Sequence, residues 1–231
     1  SCEYKFQSED INLTTLYGNI NTAHYDVIDM VISLDSEVVT QLNSLMSDFF
    51  TAHANNNIYV MGGYRTLESQ NDKYYNGQSK FIGGFSDYHT ARTFDIGIFP
   101  KDGSSSGYYS PTGVYSWVDE HAAEYGFVLR FPEGKEEFTG EQSRTQTYRY
   151  VGAPHSTYIK QKNLCLEEYI EQIKAYTNTE PLEITSGSDL YNVYYVAANA
   201  SGNTDVPVPS NKTYTVSGNN KDGFIVTVSM K

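Results

Sequence analysis

The sequence predicts an α+β domain followed by a small all-β extension, and three observations carry that reading. Residues 35–54 (DSEVVTQLNSLMSDFFTAHA) place Val38, Val39, Leu42, Leu45, Met46, Phe49 and Phe50 at helical spacing. Helical patterns and short β-prone runs then alternate as far as residue 176, which is the pattern of an α+β domain. At about Thr177 the composition changes and no helical periodicity follows. The chain is therefore read as a lead-in over 1–33, a main domain over 34–176 and a β-rich extension over 177–231.

Asp35 or Ser36 caps the first helix. A short apolar strand at Ile58 to Met61 turns at Gly62 and Gly63, and Thr66 with Ser69 and Gln70 opens a second helix, leaving Arg65 at the strand–helix junction. Arg92 to Phe99 alternates as a strand carrying Thr93 and Asp95 on one face, which face being open at this stage. Pro111 reads as a first-turn proline of a helix that buries Val114, Trp117, Val118 and Ala122 and stops at Gly126, with His121 solvated. Strands follow at 127–131 and 147–152. Helix resumes behind Pro154, with Leu164, Leu166, Tyr169, Ile170 and Ile173 on its core face. The extension offers strands at Tyr191 to Ala197, Tyr214 to Ser217 and Phe224 to Met230.

Composition sets bounds on function. The 231 residues, 39% hydrophobic and 19% charged, suffice for one substantial core. A net charge of -12 leaves no basic face to release counterions, which excludes nucleic acid as a partner. The 21 tyrosines against a single Trp117 serve most simply as amphipathic strand residues, although they also suit the sugar and peptide surfaces of a cell wall. No apolar run is long enough to span a membrane. The start, SCEYKFQSED, lacks an apolar signal core and reads as a stalk. Cys165, in an amphipathic run, is read as a buried small hydrophobe. A Cys2–Cys165 disulfide stays open.

The succession GGYRTLESQ, GGFSDYHTARTFDIG, WVDEHAAEYGFVLRFPEGKEEFTG, YRYVGAPHSTYI and NLCLEEYI resembles, in order and spacing, the VanY-like D-alanyl-D-alanine carboxypeptidases. The likeness runs from Leu34 to Tyr176 and leaves the extension outside it. It implies a VanY-like domain with helices packed on a small, mostly antiparallel sheet, located outside the cytoplasm at the cell envelope or secreted. The implied partner is a peptidoglycan stem peptide ending in D-alanine. The family resemblance also implies zinc held by His, Asp and His, with a Glu that deprotonates the metal's water.

Those zinc blocks have the forms SxHxxGxAxD and ExWHxRYVG, and register decides what this chain keeps of them. Laid on without gaps, Ser86 and Asp95 match, while Tyr88 stands at the first histidine and His89 follows it. Thr139-Gly140 and Arg149 to Gly152 pin the second block, putting Arg144 at the base, Gln146 at the Trp and Thr147 at the last zinc histidine. An arginine that never deprotonates is no general base, and one carboxylate does not hold catalytic zinc. No cofactor is therefore expected, and Arg144 or Arg149 is expected to neutralise Asp95. Zinc enters only if His89, Asp95 and His155 form a rearranged ligand set, with Glu137 or Glu141 as a substitute base. On the binding side, Arg65 and Gln70 match the family's YRxxxxQ block, where the resemblance implies an arginine beside the substrate carboxylate. Ser86 and Tyr88 complete the expected substrate site.

Overall fold

The computed structural model describes residues 5–6 and 11–231. It opens with three short strands, β1 (Leu13–Thr15), β2 (Asp26–Val27) and β3 (Ser33–Asp35). β1 pairs with β3, and Leu16, Tyr25 and Ile32 are buried in the main core. The stalk expected over 1–33 is thus corrected: from Ile11 onward it is part of the fold, because these few large apolar side chains gain more from burial than from solvent. Cys2, and with it the open disulfide, lies outside the described residues.

α1 (Ser36–His53) starts at Asp35, whose carboxylate accepts the Glu37 amide, and ends at Ala54 in the left-handed region (φ 49°). After it come β4 (Ile58–Gly62), α2 (Leu67–Tyr75) capped by Thr66, β5 (Thr93–Ile98), β6 (Gly107–Tyr108) and α3 (Ser116–His121). β7 (Phe127–Phe131), α4 (Glu136–Thr139) and β8 (Arg144–Tyr150) complete the central layer. The sheet order is β2-β4-β5-β8-β7 with β6 added to β5, and only β2 and β4 run parallel.

α1 covers one face of this sheet. Leu42, Leu45, Met46 and Phe49 meet Val60, Phe94, Ile96, Phe127 and Tyr148 in one core. Alternation along β5 and β8 therefore turns Thr93, Asp95, Thr147 and Arg149 to the other face. That settles the open direction of Asp95: it points away from the core.

The segment after Pro111 differs from expectation. It forms a 3-10 turn at Gly113–Tyr115 before α3, and Val114 is 42% exposed, while Val118 and Ala122 are buried. Gly126 ends the segment at φ 88°. The helix behind Pro154 is two helices, α5 (Ala153–Lys162) and α6 (Leu166–Ile173), because Asn163 takes the left-handed region (φ 51°). Cys165 is buried and caps α6.

The C-terminal strands β9 (Leu182–Ser186), β10 (Asp189–Ala197), β11 (Tyr214–Gly218) and β12 (Gly223–Ser229) form a separate antiparallel sheet of order β11-β12-β10-β9. β9 adds a strand to the three expected from the sequence. The sheet buries Leu182, Ile184, Val193 and Ile225 against Tyr158, Ile159, Tyr169 and Ile173 of α5 and α6.

His155 pins this junction. Its Nδ1 lies 2.6 Å from the Tyr169 hydroxyl and its Nε2 2.9 Å from Thr227 Oγ1. Burial lowers its pKa from 6.5 to about 4. As pH falls, the unfolded chain therefore takes up this proton before the folded one, and stability present above about 6.5 is lost progressively down to about 4. Urea unfolding between these limits should show a decline on the order of 3 kcal/mol attributable to this group, and His155→Gln should flatten that part of the profile.

Candidate functional site

The sheet face turned away from α1 carries a polar chain built around Asp95. Asp95 lies opposite Thr147 on β8 and opposite Gly62 at an irregularity in the β4–β5 pairing. A side chain at position 62 would begin 3.2 Å from Asp95 Oδ2, so glycine leaves the carboxylate its room. Tyr88 donates its hydroxyl to Oδ2 and Thr147 donates to Oδ1, each at 2.6 Å. Tyr88 sits on a 3-10 turn, Asp87–Thr90. Burial, together with the Asp95 charge, raises the Tyr88 phenol above its ordinary pKa, so it remains a donor at neutral pH.

Arg65 stacks its guanidinium 3.6 Å from the centroid of the Tyr88 ring. Its Nη1 donates to Gln70 Oε1 at 3.2 Å. Gln70, fully buried, donates through Nε2 to Ser79 Oγ at 2.8 Å and to the Phe81 carbonyl at 2.7 Å. The Arg65 head is therefore oriented from two sides, yet it forms no ion pair with any described carboxylate. Ser86, also buried, opens the turn that carries Tyr88 and accepts the His89 amide on its carbonyl.

His89 lies behind this arrangement with both ring nitrogens engaged. The Gly84 amide donates to Nε2 at 2.9 Å, which leaves Nδ1 to carry the hydrogen and donate to the Arg65 carbonyl at 2.7 Å. His89 thus braces the backbone of Arg65 and the glycine turn. His155 is bound into the junction with the C-terminal sheet. Among the described residues, no three His, Cys, Asp or Glu side chains gather at metal-binding spacing, so His89, Asp95 and His155 are not brought together.

The expected charge neutralisation of Asp95 by Arg144 or Arg149 is corrected. Arg144 pairs instead with Glu141, which is 3% exposed, and its guanidinium lies 5.0 Å from the Phe131 ring centroid. Glu141, considered as a substitute base, is thereby engaged, and Glu137 is exposed. Arg149 donates through Nη1 to Thr90, to Thr93 Oγ1 at 3.2 Å and to the Asp87 carbonyl at 3.3 Å. Both arginines find nearer oxygens, and two hydroxyls serve Asp95. Thr147 is legible in the sequence as a missing ligand, whereas its role as a donor needs the strand register.

A second buried cluster leaves no motif in the sequence. Arg130, 1% exposed, donates from Nε to Asp87 at 2.7 Å and grips both oxygens of Glu167 at 3.1 and 2.6 Å. Burial by itself would raise the Asp87 pKa, but the charges around it, Arg130 foremost and Arg149 after it, outweigh this and hold that carboxyl below its usual range. This ties the turn carrying Tyr88 to β7 and α6.

Comparisons with known proteins bear on the family and the fold. A family model described as VanY, D-alanyl-D-alanine carboxypeptidase, matches residues 31–153. A D-alanyl-D-alanine carboxypeptidase of Enterococcus faecium is 31% identical over 224 residues, covering 96% of this chain and 69% of its own. The vancomycin resistance D,D-dipeptidase VanXYg, in complex with a D-Ala-D-Ala phosphinate analog, superposes with a TM-score of 0.82 at 26% identity, over 98% of this chain and 90% of that one. A mutant of the D,D-pentapeptidase VanY from the VanB-type resistance cassette, in complex with Zn(II), superposes at 0.51 and 26% identity, over 72% and 93% of the two chains. The coverage by VanXYg takes in the C-terminal sheet, so that extension is shared.

The Asp95 network predicts its own energetics. Tyr88→Phe and Thr147→Val should each cost roughly 1–3 kcal/mol in chemical denaturation, since each leaves a carboxylate oxygen without its donor. The double variant should depart from additivity, because both act on one carboxylate.

Proposed function

The chain belongs to the VanY D-alanyl-D-alanine carboxypeptidase family, and on that premise we propose that its site binds a stem peptide by its terminal carboxylate without hydrolysing it. The observation that carries this is the occupation of both Asp95 oxygens by the hydroxyls of Tyr88 and Thr147. A zinc ion would need those oxygens and two further donors, and tyrosine and threonine hydroxyls that stay protonated supply neither charge nor softness. The residues present do not fit the metal, and the Arg144–Glu141 pair leaves no base at the position where the family places one.

What supports binding is Arg65. Its guanidinium is pre-oriented by Gln70 and Tyr88 and has no carboxylate partner among the described residues, the state in which an arginine fork receives a peptide terminus with two parallel bonds. The competing reading, an active zinc D,D-carboxypeptidase using His89, Asp95 and His155, requires both histidines to abandon two hydrogen bonds each. The partner class is then peptidoglycan peptide ending in D-alanine, met outside the cytoplasm. Among the described residues, no helix is long and apolar enough to cross a membrane.

The protein dialysed against zinc should retain far less than one ion per chain, and it should release no D-alanine from a peptide ending in D-Ala-D-Ala. A ratio near one, or release that falls in Asp95→Ala, overturns the proposal. The same peptide should bind, and Arg65→Ala should weaken it about tenfold or more, the loss expected for a charge-assisted pair. Calorimetry showing equal affinity in the two proteins removes Arg65 from the site. Reinstalling the family pattern by Tyr88→His, Thr147→His and Arg144→Glu together should raise zinc retention toward one per chain.

A further inference from the structure

The site around Asp95 has already spent most of its donors internally. The hydroxyls of Tyr88 and Thr147 are both given to Asp95, and Nη1 of Arg65 is given to Gln70. A peptide whose terminal carboxylate sits on Arg65 also brings the carbonyl oxygen of its last peptide bond into these surroundings. An acceptor that leaves water for such a place needs a donor, or its desolvation weakens binding.

Arg144 is the side chain with donors to spare. It lies three residues before Thr147 on β8, and strict alternation would turn the two to opposite faces. The pairing of β7 with β8 is irregular there: Leu129 pairs with Tyr148 but Phe131 with Arg144, which leaves residues 145–147 opposite Arg130 alone. Such an irregularity re-aims side chains. The Arg144 charge accordingly acts on the Tyr88 phenol, as the Arg65 charge does, both opposing the rise in pKa that burial and Asp95 cause.

The guanidinium of Arg144 is held from two sides. Nη2 donates to Glu141, and the centroid of the Phe131 ring lies 5.0 Å away. Glu141, 3% exposed, is also approached by Lys80 at 3.8 Å. Nε and Nη1 of Arg144 make no hydrogen bond with a described residue, and neither is sealed from solvent as Nε of Arg149 is. With 37% of the side chain exposed, Arg144 is a pre-oriented donor with an accessible edge.

Charge decides which oxygen it takes. The contacts of this site join three cations, Arg65, Lys80 and Arg144, to two carboxylates, Asp95 and Glu141. One terminal carboxylate balances that surplus, so Arg144 is left with a neutral oxygen rather than a second acid group.

We propose that Arg144 is a specificity-determining residue, donating to the carbonyl oxygen of the ligand's last peptide bond while Arg65 holds the terminal carboxylate. The inference rests on the reading of Arg65 given above and narrows the ligand class to an N-acylated amino acid whose final peptide bond is intact. An arginine at the position where the family places a base thus serves the uncleaved bond.

The test titrates the full chain by calorimetry with N-acetyl-D-alanyl-D-alanine and with its analogue in which an E-alkene replaces the last peptide bond, which keeps the carboxylate and removes the carbonyl. The analogue should bind about tenfold more weakly, the loss expected for a hydrogen bond from a charged donor. Arg144→Gln should lower the peptide's affinity to that of the analogue and leave the analogue's affinity unchanged, whereas Arg65→Ala should weaken both ligands. In the protein without substitutions, the 15N–1H signal of Arg144 Nε should shift with the peptide and not with the analogue, a readout that decides the matter even if Arg144→Gln does not fold. Equal binding of peptide and analogue, unchanged peptide affinity in a folded Arg144→Gln, or an equal loss for both ligands in that variant overturns the proposal. Each of these results leaves the terminal-carboxylate reading standing if Arg65→Ala still weakens the peptide; a peptide that does not bind the unaltered protein overturns both.

Discussion

The clamp that Tyr88 and Thr147 close on Asp95 is the contact on which the arrangement of the site depends. A carboxylate on the open face of a sheet needs either a cation or hydrogen bonds, since burying it with neither is prohibitive. Here two hydroxyls meet the need, one from the turn before β5 and one from the neighbouring strand β8. The clamp fixes the Tyr88 ring, and the ring in turn provides the face on which Arg65 rests. Removing the carboxylate would therefore loosen the arginine as well.

Around this clamp, charges are paired locally rather than across the site. Arg144 is drawn to Glu141 three residues before it, and Arg130 is enclosed by Asp87 and Glu167. Of the two arginines expected at Asp95, Arg144 pairs with Glu141 and Arg149 donates to Thr90, Thr93 and the Asp87 carbonyl. Arg65 stands apart in forming no ion pair with a described carboxylate, its guanidinium held instead by the Tyr88 ring and Gln70.

The C-terminal sheet is not an independent appendage in physical terms. Its apolar face is buried on α5 and α6, and His155 reaches across to Thr227. Acid that protonates His155 therefore acts on the surface where this sheet is docked.

How far each part is legible follows from the range of the interactions involved. Helical periodicity marks α1 and the apolar run marks β4, because those patterns are written in neighbouring residues. The motif spacing places Ser86, Tyr88, Asp95 and Thr147 in register with a zinc site and shows which ligands have been replaced. β9 escapes detection because LEITS, although Leu182 and Ile184 alternate with exposed neighbours, is only five residues long, and the split of α5 from α6 hides in one left-handed asparagine. The lead-in looks like a stalk in sequence because the partners that bury it lie far along the chain. By itself the sequence determined the family, the mixed architecture and the identity of the altered positions, since composition, order and spacing are local properties. Only the tertiary structure decided that hydroxyls rather than an arginine serve Asp95 and that both candidate histidines are structural braces. Those outcomes depend on strand register and on which oxygens lie nearest in space, and a linear chain does not record either.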